Sequence, residues 1–123
     1  MNSEIKFRAW NENYKQMKKV YGLDLEGKRV FLDANLATWW LIDHCELMQY
    51  TGLKDKNGRE IYKGYILLTD GGELGDIYSE VVFNDGNFMI VEKGYTPELT
   101  LDEINREAEV AGNIYENPEL LEG

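Results

Sequence analysis

Hydrophobic and polar positions alternate with a period of two over several short runs of this 123-residue chain, which predicts half-buried strands rather than long helices. Ile5-Lys6-Phe7-Arg8-Ala9-Trp10 places Ile5, Phe7 and Ala9 on one face and Lys6, Arg8 and Trp10 on the other. A polar turn follows at Asn11-Glu12-Asn13. Tyr14 to Leu25 then reads as a return strand broken at Gly22, with Met17 facing the first strand. Glu26-Gly27-Lys28 makes a turn before the strand Arg29-Val30-Phe31-Leu32. Residues 33–38 are ambiguous, because Ala and Leu favour a helix and Asn and Thr do not. Trp39-Trp40-Leu41-Ile42 is the most apolar segment. Adjacent residues of a strand face opposite sides, so a one-sided core takes one of Trp39 and Trp40 and leaves the other needing a partner.

The densest set of structure-specifying residues runs from Met48 to Leu68. Asn57-Gly58 predicts a type I′ hairpin turn, with Asp55 and Lys56 either keeping the turn solvated or lengthening the loop beyond two residues. Glu60-Ile61-Tyr62 reads as a strand, Gly64 as a bulge or tight corner, and Ile66-Leu67-Leu68 as a further strand. The Gly-rich acidic stretch 68–76 reads as a hairpin tip. Tyr78 to Phe83 and Asn87 to Val91 are strands joined at Asn84-Asp85-Gly86, a second strong hairpin signal. Thr100-Leu101-Asp102-Glu103 is a capping-box sequence opening a short helix over about 101–107. Val110 to Tyr115 is the last strand, with Gly112 a bulge or a close backbone approach. Asn117-Pro118 stops it, and a tail follows whose leucines, Leu120 and Leu121, are placed to dock. The fold expected is mainly β with one short helix. A single domain would form a small, partly open SH3-like barrel over 27–123, with a projecting N-terminal β-hairpin over 1–26.

Three stretches carry a family resemblance: Ile5 to Trp10, Met48 to Ile66, and Gly112-Asn113-Ile114-Tyr115-Glu116-Asn117-Pro118-Glu119-Leu120. In this order and spanning nearly the whole chain, they resemble the YopX family, small proteins of bacteriophages and prophages, mostly of Gram-positive bacteria. The resemblance implies a phage accessory protein of β-rich fold, with oligomer formation among its options, and no particular activity. Where the family commonly reads Gly-Asp-Ile, this chain has Gly64-Tyr65-Ile66, so any role of that Asp is in doubt here.

Composition narrows the class. Apolar residues at 43% and aromatics at 12% are those of a globular domain. Neither a membrane-spanning run nor the apolar core of a signal peptide is expected, and one cysteine excludes an internal disulfide, so the expected location is the cytoplasm of a host bacterium. The net charge of −10 is uneven: residues 1–30 carry seven Lys/Arg against four Asp/Glu, while residues 70–123 carry two against fourteen. Such acidity repels phosphate and argues against general nucleic-acid binding, including at the basic face of Lys6, Arg8, Lys15, Lys18 and Lys19. The asymmetry suits self-association or a basic protein partner.

Candidate chemistry is sparse. His44-Cys45, flanked by Asp43 and Glu46, is the one cluster of catalytic residue types, but neighbours on a strand point apart, so His44 does not activate Cys45. With one His and one Cys, a zinc site would rest mostly on carboxylates, which is uncommon. Asp70, Glu73 and Asp76 fit no calcium-loop template, and the glycines beside them lack the Lys and helix of a phosphate cradle. No catalytic residue, metal or cofactor is therefore assigned. The expectation is a non-enzymatic protein that binds another protein, itself or a host factor, through Trp39, Trp40, Tyr62 and Tyr65. The alternatives are an acidic DNA mimic that occupies a host DNA-binding protein and a small hydrolase.

Overall fold

The structure, a computed structural model, describes residues 5–122. The polar start of the chain, on which part of the signal-peptide argument rests, lies outside them. The fold is mainly β, 49% strand and 11% helical, with a sheet curled into half a barrel. The described strands form three sheets. Contacts divide the chain into two compact units, 1–50 and 51–123. The first unit takes in the N-terminal hairpin together with the strands that follow it up to Tyr50.

In the first unit, β1 (Phe7–Asn11) pairs antiparallel with β2 (Gln16–Lys19), Trp10 facing Met17. On its other side β1 pairs along its length with β6 (Cys45–Lys54), Phe7 facing Gln49 and Asn11 facing Cys45. Buried Asn11 closes the hairpin by accepting the amides of Asn13 at 2.9 Å and Tyr14 at 3.3 Å. A second sheet has the order β3 (Gly22–Asp24), β4 (Arg29–Phe31), β5 (Trp39–Leu41). Asp24 accepts the Gly27 amide at 2.9 Å and pairs with Arg29 at 2.7 Å, which fixes the turn between β3 and β4. The ambiguous stretch 33–38 is neither helix nor strand. The Asp33 carboxylate takes the amides of Asn35, Ala37 and Thr38 together with the Thr38 hydroxyl, so a side chain replaces the ladder there. Ala9, Trp10, Val30, Phe31, Met48 and Tyr50 are buried.

In the second unit, β8 (Tyr65–Asp70), β9 (Asp76–Asn84), β10 (Asn87–Val91), β11 (Leu99–Thr100) and β12 (Glu109–Asn113) form a sheet of order β11-β10-β9-β8-β12. The remaining strand, β7 (Glu60–Tyr62), is the neighbour of β6. Ile61, Ile66, Leu67, Val81, Leu101 and Ala108 are fully buried. Asp85 and Gly86 both have positive φ, 51° and 81°, giving the two-residue I′ turn between β9 and β10 that Asp-Gly predicts. The turn at 55–59 takes the longer of the two forms open to it. Gly58 alone has positive φ there, and Asp55 bonds with Arg59 at 2.9 Å, so the loop has three residues and ends on a bulge glycine.

The expected helix at 101–107 is a single 3₁₀ turn, Leu101–Glu103. Glu103 does accept the Thr100 amide at 2.8 Å. Asn105 then donates its side chain to the Lys54 carbonyl at 2.7 Å, which holds the segment to its neighbour rather than letting it propagate. Gly112 marks the predicted bulge: Val110 faces Leu67 and Gly112 faces Ile66, leaving one extra residue between them.

Candidate binding surfaces

The residues of catalytic type do not form a site. His44 is exposed in the 3₁₀ turn Ile42–His44, and the Cys45 thiol donates to the Leu41 carbonyl at 3.3 Å. Burial pushes the Cys45 thiol up, and Glu46 adds to the shift, so the thiolate is disfavoured. Among the described residues no group of three or more His, Cys, Asp or Glu could hold a metal ion. Asp70 and Asp76 face each other across the β8–β9 hairpin, and Asp70 accepts the Gly72 amide at 2.8 Å, so the glycine-rich stretch is the hairpin tip.

The two tryptophans of β5 take different places. Trp39 is 46% exposed, as are Leu41 at 46% and Leu36 at 49%. Its ring meets Phe31 edge-on at 6.3 Å, and the Arg29 guanidinium lies 5.2 Å from both rings. Asp24 orients that guanidinium from the neighbouring strand. Trp40 is half-buried, with the Tyr14 ring 6.2 Å away. Tyr62 and Tyr65, grouped with the tryptophans as interface candidates, lie apart from them. Each is 6% exposed, and their rings pack at 5.4 Å in the second unit. The corner at Gly64, φ +89°, turns the chain between them and places both rings in the core, out of reach of an outside partner.

Sequence reasoning missed Asp55 and Asn113. Asp55 is 6% exposed rather than solvated. One carboxylate oxygen accepts the amides of Asn57 at 2.8 Å and Arg59 at 2.9 Å, and the other accepts the Val110 amide at 2.8 Å. Burial pushes this carboxyl up, but the amides of Val110, Arg59 and Asn57 outweigh it and hold the pKa below the ordinary carboxylate value. Asn113 accepts the amides of Tyr115 at 3.0 Å and Glu116 at 2.9 Å and donates to the Glu116 carboxylate at 2.8 Å. The Ile114 amide reaches the Gly64 carbonyl at 2.9 Å, and the Lys56 amide reaches the Ala108 carbonyl at 2.9 Å. The middle and final family-like stretches thus hold each other's backbone. An Asp at the first position of a turn that ends in Gly was the available signal, since Asp is favoured there.

Two adjoining concavities lie in the second unit. One, of about 250 Å³, is walled by Glu80, Val91, Ile114 and Leu121. The other, of about 510 Å³, is walled by Leu74, Ile77, Tyr78 and Tyr95. Lys93 and Leu121 border both. Burial pushes the Glu80 carboxyl up, against the pull of Lys63.

The description YopX protein matches residues 6–122 of the chain. No curated protein matches it. The crystal structure of protein EF1440 from Enterococcus faecalis is similar at TM-score 0.76 and 28% identity, covering 98% of this chain and 99% of that one. The crystal structure of protein yopX from Bacillus subtilis is similar in fold at TM-score 0.63 and 24% identity, covering 100% and 98%. With a match over nearly its full length, on a mainly β fold shared with these two structures, the chain belongs to the YopX family.

Proposed function

We propose that this is a non-enzymatic phage or prophage accessory protein, working in the cytoplasm of its host by binding a protein, a second copy of itself or a host factor. The observation that carries this reading is the exposed Trp39, edged by Leu41 and backed by an Arg29 guanidinium that Asp24 holds in place. Trp and Arg are the residues that most often dominate binding energy at interfaces, and an oriented side chain has less entropy to lose. The acidic-mimic reading is weaker. Several of its carboxylates are engaged within the chain, Glu109 with Lys56, Glu122 with Lys93 and Glu103 with Thr100, and so do not form free rows like phosphates.

The test is a tagged pull-down from phage-infected cells paired with the mass of the purified protein in solution, for the parent and for Trp39→Ser. Loss of a specific partner or of self-association in Trp39→Ser, with unchanged thermal unfolding, supports the reading. Full retention of every association by Trp39→Ser would overturn it.

A further inference from the structure

The two adjoining concavities of the second unit combine features that a solvated acidic surface lacks. Apolar side chains form part of each wall, Val91, Ile114 and Leu121 in one and Ile77 and Tyr78 in the other. Leu74, at 83% exposure, and Tyr95, at 73%, stand at the margin with most of their apolar surface in water. Interleaved with these are the carboxylates of Asp76, Glu80, Glu92 and Glu122. Among the described residues that line it, Lys93 supplies the cation, and it is engaged with Glu122 at 2.9 Å. The surrounding sequence, residues 70–123, carries fourteen carboxylates against two cations. An apolar ligand alone would leave the carboxylates unsatisfied, a polyanion would be repelled, and a purely cationic chain would leave the wells unfilled.

We propose that this groove seats a cationic amphipathic segment of a protein partner, its apolar side chains in the wells and its Lys or Arg side chains toward Asp76, Glu80 and Glu92. The stem of a Lys or Arg lies along apolar surface while its head reaches a charge, which is the combination this lining offers. The proposal rests on the protein-binding reading above but not on the Trp39 surface, which belongs to the other unit. The two therefore fail separately.

The experiment uses the full-length, isotope-labelled protein and three peptide probes of equal length: alternating Lys and Leu, Lys alone, and alternating Glu and Leu. Amide shifts and fluorescence anisotropy are read at low and moderate salt. The Lys-Leu peptide should move the amides of Val91, Lys93, Leu120 and Leu121. It should bind about tenfold or more tighter than Lys alone, and the Glu-Leu peptide should not bind. Leu121→Ser and Leu74→Ser should each weaken it several-fold, and Trp39→Ser should leave it unchanged. The shift map needs no variant, so a poorly folded Leu121→Ser does not shelter the proposal. Equal binding of Lys alone, shifts scattered over the acidic residues, or no binding would each overturn it. So would shifts that grow with the protein's own concentration, since those would give the groove to a second copy.

Discussion

The carboxylate of Asp55 accepts the backbone amide of Val110 at 2.8 Å across a sequence separation of 55. The same side chain organises its own turn through Asn57 and Arg59, so one residue sets a local loop and its long-range partner together. Truncation in Asp55→Ala leaves three buried or half-buried amides without an acceptor. The expected loss is about 3 kcal/mol, read by urea unfolding. Because the folded pKa is depressed, Asp55 stabilises above the unfolded value of about 3.9 and loses that contribution as pH falls through the folded value. The parent should therefore show an acid-side decline that is shallower in Asp55→Ala.

Gly112 is expected to tolerate no side chain. A Cβ there would lie 2.7 Å from Cγ of Asn117, whose Oδ1 accepts the Asn113 amide. Gly112→Ala should cost about 1–3 kcal/mol by overpacking. Adding Asn117→Ala should recover part of that loss, which a double-mutant cycle would measure as a favourable coupling.

Glu80 should act in the opposite sense to Asp55. Burial raises its folded pKa, so near neutral pH the folded chain holds a carboxylate that the groove disfavours. Between the unfolded value of about 4.3 and the raised folded one, the folded state binds more protons, and stability falls as pH rises through that window. Glu80→Gln should unfold at a higher temperature than the parent at pH 7, and the difference should close toward pH 4. A lower unfolding temperature for Glu80→Gln at pH 7 would mean that the pull of Lys63 outweighs burial.

Cys45 should be slow to alkylate. With its pKa raised and its thiol donated to Leu41, less thiolate is present at a given pH than for a free thiol. Iodoacetamide at pH 8 should label Cys45 of the native protein more slowly than that of the urea-unfolded protein. Equal rates would show that the thiol is not shielded.

Trp39 and Ile66 should separate binding from stability. Ile66 is fully buried, so Ile66→Ala is expected to cost about 2–5 kcal/mol. Trp39 is nearly half exposed, and Trp39→Ser should cost about 1 kcal/mol or less, read by thermal unfolding.

What could be read from the sequence was whatever depends on neighbours in the chain. Asp85-Gly86 needs positive φ at two successive residues, and few other pairs accept it, so its turn type was legible. Gly64, with φ of +89°, was legible as a corner for the same reason, whereas Gly112 sits where a Cβ would strike the Asn117 side chain. Failures came where a distant residue took a local group. The capping box at Thr100 formed, but the helix it announced ended when Asn105 bonded to Lys54. Tyr62 and Tyr65 look the same in sequence as exposed tyrosines, and their burial follows from the corner between them. The groove beside Glu80 had no local signal, because its walls come from separate strands and from the 3₁₀ turn Pro118–Leu121.

The most recognisable residues of the chain are engaged with its own backbone: Asp55 with three amides, Asn113 with two, and Gly64 with the Val81 carbonyl through its N–H. Substitutions on the Trp39 face or along the groove leave that framework untouched. The frame and the outer surface can therefore change independently, the one held by backbone bonds and the other free to vary in side chain without a loss of fold.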